Sequence, residues 1–221
     1  MRSLNLDSFN NRCMDGLLFC RMAYVFFNQI HDGPDGVKRL RTRPTDTEKK
    51  LLEELLPIAR FIQIRTRPGL NLQVRWVYGN QSYDAVLRQS GWCVNGGAEP
   101  GERILEVTGV YHPNHYLVKE ALSAGIPVFG LDGLSRDPIT GEVISIPTVR
   151  TNYDFVERFA ERVVCGIAKK ATKAYSPGAI LLAEINLDTP YDDHEWDHLI
   201  KFVRQRLCEH TFSEIWCPSG W

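Results

Sequence analysis

Two carboxylates interrupt extended, largely apolar stretches of this 221-residue chain: Asp84 in Gln81-Ser82-Tyr83-Asp84-Ala85-Val86-Leu87, and Glu106 in Ile104-Leu105-Glu106-Val107-Thr108. Strand interiors are depleted in Asp, and burying a polar group without a partner costs roughly 2–7 kcal/mol. Two such misfits on neighbouring strands suggest a shared metal site. The alternative is that each faces solvent or pairs with an arginine such as Arg75. Leu72 to Tyr78 alternates with period two, Gly79-Asn80 has turn chemistry, and Tyr83 to Leu87 resumes an extended pattern, which together predict a β-hairpin. Gly91, Gly96, Gly97, Pro100 and Gly101 favour a loop before a third strand at Ile104. Asn114 can cap a helix that runs through Ala124 and ends at Gly125, and Ile126 to Leu131 reads as a fourth strand. A helix in that position implies a right-handed crossover between parallel strands.

The length suits one α/β domain with an N-terminal elaboration, divided as residues 1–44, a helical extension with a basic connector, and residues 45–221, the α/β domain. Lys and Arg number 26 against 27 Asp and Glu, a formal charge of −1, so no global basic field advertises nucleic acid, although a neutral average can hide a local patch. Six cysteines without a Cys-x-x-Cys pair suggest neither a zinc knuckle nor a disulfide scaffold. The start lacks a signal-peptide profile and no apolar run approaches the ~20 residues of a membrane span. The expectation is a soluble, cytoplasmic protein with no membrane partner.

Along the chain, the apolar residues between Ser8 and Ile30 fit a helix whose second half is apolar nearly all round. Such a helix wants burial, against the main domain or in a homo-oligomer. Val37 to Arg43 holds four cations in seven residues, a candidate phosphate-contacting arm or a solvated connector. Thr45-Asp46-Thr47-Glu48 is a capping box opening a helix toward Ile64, which Pro57 should kink or divide. Glu142 to Ile146 reads as a short peripheral strand. Helical spacing of Phe155, Val156, Phe159, Val163, Val164 and Ile167 predicts a helix from Asn152 or Asp154, whose Lys169, Lys170 and Lys173 complement its dipole. Ala179 to Ile185 is a buried-looking strand, Trp196 to Glu209 a helix and Phe212 to Cys217 a last strand.

The order helix, strand, strand, strand, helix, strand between about Glu48 and Leu131, with Asp84 on the second strand and Glu106-Val107-Thr108 on the third, resembles the restriction endonuclease-like, or PD-(D/E)XK, nuclease superfamily. The resemblance implies a restriction endonuclease-like α/β core and Mg²⁺- or Mn²⁺-dependent hydrolysis of DNA or RNA. Asp84, Glu106 and the backbone carbonyl of Val107 would be the metal ligands, and Glu53 or Glu54 would stand where family members often carry an acid on the first helix. Hard cations take oxygen ligands, polarise a phosphoryl oxygen and lower the pKa of bound water. The departure is Thr108 in place of the motif lysine, because a hydroxyl supplies no positive charge. Some members recruit the basic group from the following helix, where Lys119 is available on one face with His115; His112 lies near the same strand end.

A rival pattern, His194-Glu195-Trp196-Asp197-His198, matches the His-Glu-x-x-His of zinc hydrolases. Against it, Asp197 charges the motif, and Asp192, Asp193 and Glu195 already make sense as cap and dipole partners of a helix start. The leading expectation is therefore a metal-dependent nuclease with Asp84, Glu106, Thr108 and Lys119 as catalytic residues. The alternatives are a catalytically inactive binding or assembly module of the same fold and, as a minor one, the zinc hydrolase.

Overall fold

The structure, a computed structural model, describes residues 4–185 and 192–217. Eight strands are β1 (Cys13–Asp15), β2 (Asn71–Trp76), β3 (Ala85–Ser90), β4 (Glu102–Val110), β5 (Leu134–Arg136), β6 (Val143–Ser145), β7 (Ile180–Ile185) and β8 (Glu214–Trp216). The helices are α1 (Gly16–His31), α2 (Gly36–Thr42), α3 (Asp46–Lys50), α4 (Leu56–Arg65), α5 (Trp92–Asn95), α6 (His115–Ser123), α7 (Asn152–Ala171) and α8 (Asp193–Arg206). Six strands form one mixed sheet in the order β1-β2-β3-β4-β7-β8, antiparallel from β1 to β4 and parallel across β4-β7-β8, while β5 and β6 form a separate hairpin. Helices flank the sheet, so the protein is α/β with a mixed six-stranded centre.

Alternation decides which helix covers which face. Leu72, Val74, Trp76, Leu87, Leu105, Val107, Ile180 and Leu182 turn to the core shared with α1 and α4, whereas Leu181, Ala183 and Ile185 turn to the core shared with α7 and α8. Helix α1 is buried through Phe19, Cys20, Ala23, Phe26 and Ile30 against this main core, leaving Leu17 and Leu18 exposed. The N-terminal 44 residues thus contribute a core helix and, through β1, an edge strand paired with β2.

The capping box forms as the sequence predicts: the Thr45 and Glu48 side chains each accept from the other's end of the first turn. Pro57 lacks the N–H that would close a regular turn back to Glu53. The helix adapts ahead of it with one π turn over Leu51–Leu55, in which Leu56 N–H donates to the carbonyl of Leu51, and continues as α4.

Two expectations are corrected. Ile126 to Leu131 forms no strand. Pro127 lacks an amide hydrogen, Gly130 sits at φ 135°, and Ile126, Val128 and Leu131 pack with α6 and the β5–β6 hairpin in a small satellite cluster. The strand parallel to β4 is β7, whose Ile180-Leu181-Leu182-Ala183 is completely buried, as a central parallel strand covered on both faces requires. The crossover helix against the sheet is therefore α7, and α6 belongs to an insertion between β4 and α7. The turn between β2 and β3 is also longer than Gly79-Asn80. Regular pairing stops at Trp76 opposite Ala85, and the intervening loop is closed by Val77 N–H on the Asp84 carbonyl at 2.9 Å.

Candidate metal centre

Asp84 stands one residue before β3. Its own N–H donates to the Leu105 carbonyl at 2.9 Å, and its Oδ2 accepts the Val107 N–H at 2.7 Å, so the side chain takes the place of a ladder acceptor on β4. Glu106, 3% exposed, points away from the core that receives Leu105 and Val107, toward the α7 side of the sheet. There Lys170, in the last turn of α7, donates its Nζ to Glu106 Oε1. Glu54 arrives from the π turn; its Oε2 accepts the Trp76 indole N–H at 2.9 Å and its Oε1 is paired with Lys50. Burial, followed by the negative charges of Glu54 and Glu106, pushes the Asp84 carboxyl up to about 7, while the Val107 N–H and Lys170 oppose the shift. Tyr175 is buried beside the same carboxylates. Burial, then the charge of Glu106 and its approach to the phenol hydroxyl, then the charge of Asp84, raise its phenol.

Asp84 thus lies within electrostatic range of Glu54 in the π turn, Lys50 just before it, Glu106 on β4 and Lys170 at the end of α7. Asp84 and Glu106 are brought together, and Val107 contributes its amide to Asp84. Thr108 lies two residues along β4, half-buried opposite Ala183. Lys119 lies elsewhere: burial and then Arg43 lower it to about 8, with Glu53 opposing. The cation on Glu106 is Lys170, which reading the sequence left to the helix dipole. Its signal was present, since Val163, Ile167 and Lys170 continue one face of α7 and place the ammonium on the side that packs against the sheet.

A second cluster adjoins the first through Glu53, the neighbour of Glu54. Arg43, at the left-handed end of α2 (φ 49°), donates to Glu53 Oε1 at 2.6 Å and lies over the Tyr111 ring, 5.5 Å from its centroid. His115 stacks on Tyr111 at 5.1 Å, and Lys119 Nζ lies 4.9 Å from the centre of the Tyr116 ring. Burial, and then the charges of Lys119 and Arg43, lower His115 to about 4. His112 itself pairs with Asp132 at 3.0 Å, together with Arg150 at 2.7 Å and Arg158 at 3.2 Å, and so ties the insertion to α7.

Two residues of the His-Glu-x-x-His pattern, Glu195 and His198, have other engagements. Asp192 and Glu195 form a reciprocal capping box at the start of α8, at 2.8 and 2.9 Å, and His198 Nε2 meets Glu157 at 3.2 Å. Family models, curated proteins and solved structures were compared with this chain, and none matches it.

Among the described residues no three His, Cys, Asp or Glu side chains stand gathered as a ready-made metal cage. The donor set still suits a hard cation. Its donors are carboxylate oxygens, and after burial it is the crowding of Asp84 by the charges of Glu54 and Glu106 that raises its carboxyl, a repulsion that a bound cation would relieve. Mg²⁺ keeps several waters and is bound through one or two carboxylates, which Asp84 and Glu106 can supply without a cage. Also among the described residues, no helix is long and apolar enough to cross a membrane.

Proposed function

We propose that this protein is a divalent-cation-dependent phosphodiesterase acting on nucleic acid, a nuclease of the restriction endonuclease-like, PD-(D/E)XK, type with its lysine moved to the crossover helix. The observation that carries the reading is the convergence of Asp84 and Glu106 with Lys170, a cation from a different element standing where Thr108 leaves none. The order α4-β2-β3-β4-α7-β7 and the acid Glu54 on the first helix also support it. Asp84 and Glu106 would hold Mg²⁺ or Mn²⁺, with Glu54 behind them. When bound, such a cation supplies Lewis-acid polarisation of a phosphoryl oxygen and a lowered pKa for its water. Lys170 orients the attacking water and places positive charge beside the phosphoryl oxygens. Trp76 and Lys50 fix Glu54, and the Val107 amide fixes Asp84.

The test is incubation of the protein with single- and double-stranded DNA and RNA, with Mg²⁺, with Mn²⁺ and with chelator, beside Asp84→Asn. Cleavage that needs the cation and Asp84 supports the reading. No cleavage of any substrate, with no Mn²⁺ binding by calorimetry, overturns it in favour of a binding module.

A further inference from the structure

The second cluster has a surplus of unsatisfied donors. Arg43 is paired with Glu53 and Arg60 with Glu184 at 2.7 Å, which leaves Lys119 without a carboxylate of its own. Arg43 Nε, His115 Nε2 and Lys119 Nζ are each buried and have no hydrogen-bond partner among the described residues. His115 Nε2 is a donor in one tautomer only, and Glu184 Oε2 beside Arg43 is likewise buried without a partner among the described residues. A buried donor left unmade still costs on the order of 1–3 kcal/mol, more when charged, so Arg43 Nε and Lys119 Nζ are destabilising unless something else satisfies them. Lys119 and Tyr116 also line an open cavity with Thr42, Glu120, Ser123 and Ala124, where Glu120 is paired with Arg136, and Ser123 is shared with a neighbouring cavity lined by Asp35 and by exposed Lys38 and Arg41 of α2. Three cations, Lys38, Arg41 and Lys119, therefore line adjoining cavities from the surface of α2 inward, and the second cluster neighbours the metal centre through the consecutive residues Glu53 and Glu54. Consecutive Cα atoms are about 3.8 Å apart.

We propose that Arg43, His115 and Lys119 form a phosphate subsite beside the metal centre, which holds a phosphate of the bound strand that is not cut. The existence of an anion site is independent of the nuclease reading; only the ownership of the phosphate rests on it. A phosphate oxygen accepts from the Lys119 ammonium as it swings from the Tyr116 face into the cavity, and Arg43 and His115, within electrostatic range of Lys119 but not lining the cavity, favour the anion from behind it. Lys119 then acts in binding, where the sequence suggested catalysis.

The experiment titrates the full chain, in chelator, with inorganic phosphate and follows the His115 ring resonance by NMR. Saturable movement of that resonance in wild type is expected, with affinity at least tenfold weaker in Lys119→Met and retained in Lys119→Arg. An unlabelled oligonucleotide should displace the phosphate. An unmoved His115 resonance, or equal affinity in Lys119→Met, overturns the subsite. Phosphate binding that no oligonucleotide displaces keeps an anion site but overturns its assignment to a strand, while displacement without any cleavage leaves the subsite standing and the nuclease reading at fault.

Discussion

Lys170 and Glu106 meet as an ion pair between the last turn of α7 and the middle of β4, with the carboxylate side chain only 5% and the lysine side chain 20% exposed. Removing one partner of such a pair leaves the other charge buried. Lys170→Met should therefore do two things at once: lower cation-dependent cleavage by ~10²–10³, the usual effect of removing one placed stabilising charge, and weaken the protein to denaturant. Measuring both in the same preparation separates them, because Lys170→Arg should restore stability more fully than rate. Equal cleavage by Lys170→Met and wild type would remove Lys170 from the mechanism.

Lys119→Met should have a different kinetic signature. Removing a contact made equally to substrate and transition state raises KM and leaves kcat nearly unchanged. A fall in kcat at saturating substrate would return Lys119 to the role the sequence first suggested.

Asp84 and His115 pull stability in opposite directions over one pH window. The folded carboxyl of Asp84 is raised to about 7 from an ordinary 3.8, so its contribution is complete below about 4 and is lost as pH rises to 7. The imidazole of His115 is depressed to about 4 from an ordinary 6.5, so its contribution is present above 6.5 and is lost as pH falls to 4. In metal-free buffer Asp84→Asn, whose amide oxygen can still accept from Val107, should stabilise the protein at pH 8 by on the order of 2–4 kcal/mol, at about 1.4 kcal/mol per pKa unit. The gain should vanish near pH 4. His115→Gln should have the opposite slope relative to wild type, smaller because the ring is partly exposed and screened. Thermal melting from pH 4 to 8 reads both, and a Asp84→Asn gain that does not depend on pH would contradict the assignment.

Arg65 ties two distant parts of the chain together. Its guanidinium meets Glu99, in the loop before β4, at 2.7 Å and Glu214 of β8 at 2.8 Å, with the Arg65 and Glu99 side chains each 9% exposed. Glu99 keeps Arg67 at 2.7 Å and Glu214 keeps Arg103 at 3.1 Å, so Arg65→Ala loosens the network without stranding a charge and should cost about 1–3 kcal/mol, while chemistry at Asp84 is unaffected. Urea titration checks the first outcome and cleavage assays the second.

What was legible in the sequence was local. Asp84 and Glu106 betrayed themselves by chemistry out of keeping with their strands, and the capping box at Thr45 by its four-residue spacing. The partner of β4 was hidden, because an uninterrupted apolar run such as Ile180 to Ile185 carries no mark of which strand it joins, and α6 lay nearer in sequence with an acceptable cap. Lys170 was marked only in part, by the spacing that sets it on the packed face of α7. A lysine near a helix C-terminus already satisfies the dipole, and only the pairing of β4 with β7 reveals that the helix ends over Glu106.

The π turn at Leu51–Leu55 also works as a phase shifter. Successive helical residues point about 100° apart, so Glu53 and Glu54 serve two separate sites, one with Arg43 and one with Trp76. The widened turn sets the angle at which both are presented relative to everything before it, Lys50 included. Deleting a single residue would close it to an ordinary α turn, remove the widening that accommodates Pro57, and shift Glu53 and Glu54 together relative to their partners. The two sites therefore share one mechanical adjustment, and neither can be re-aimed alone by changing the length of this segment.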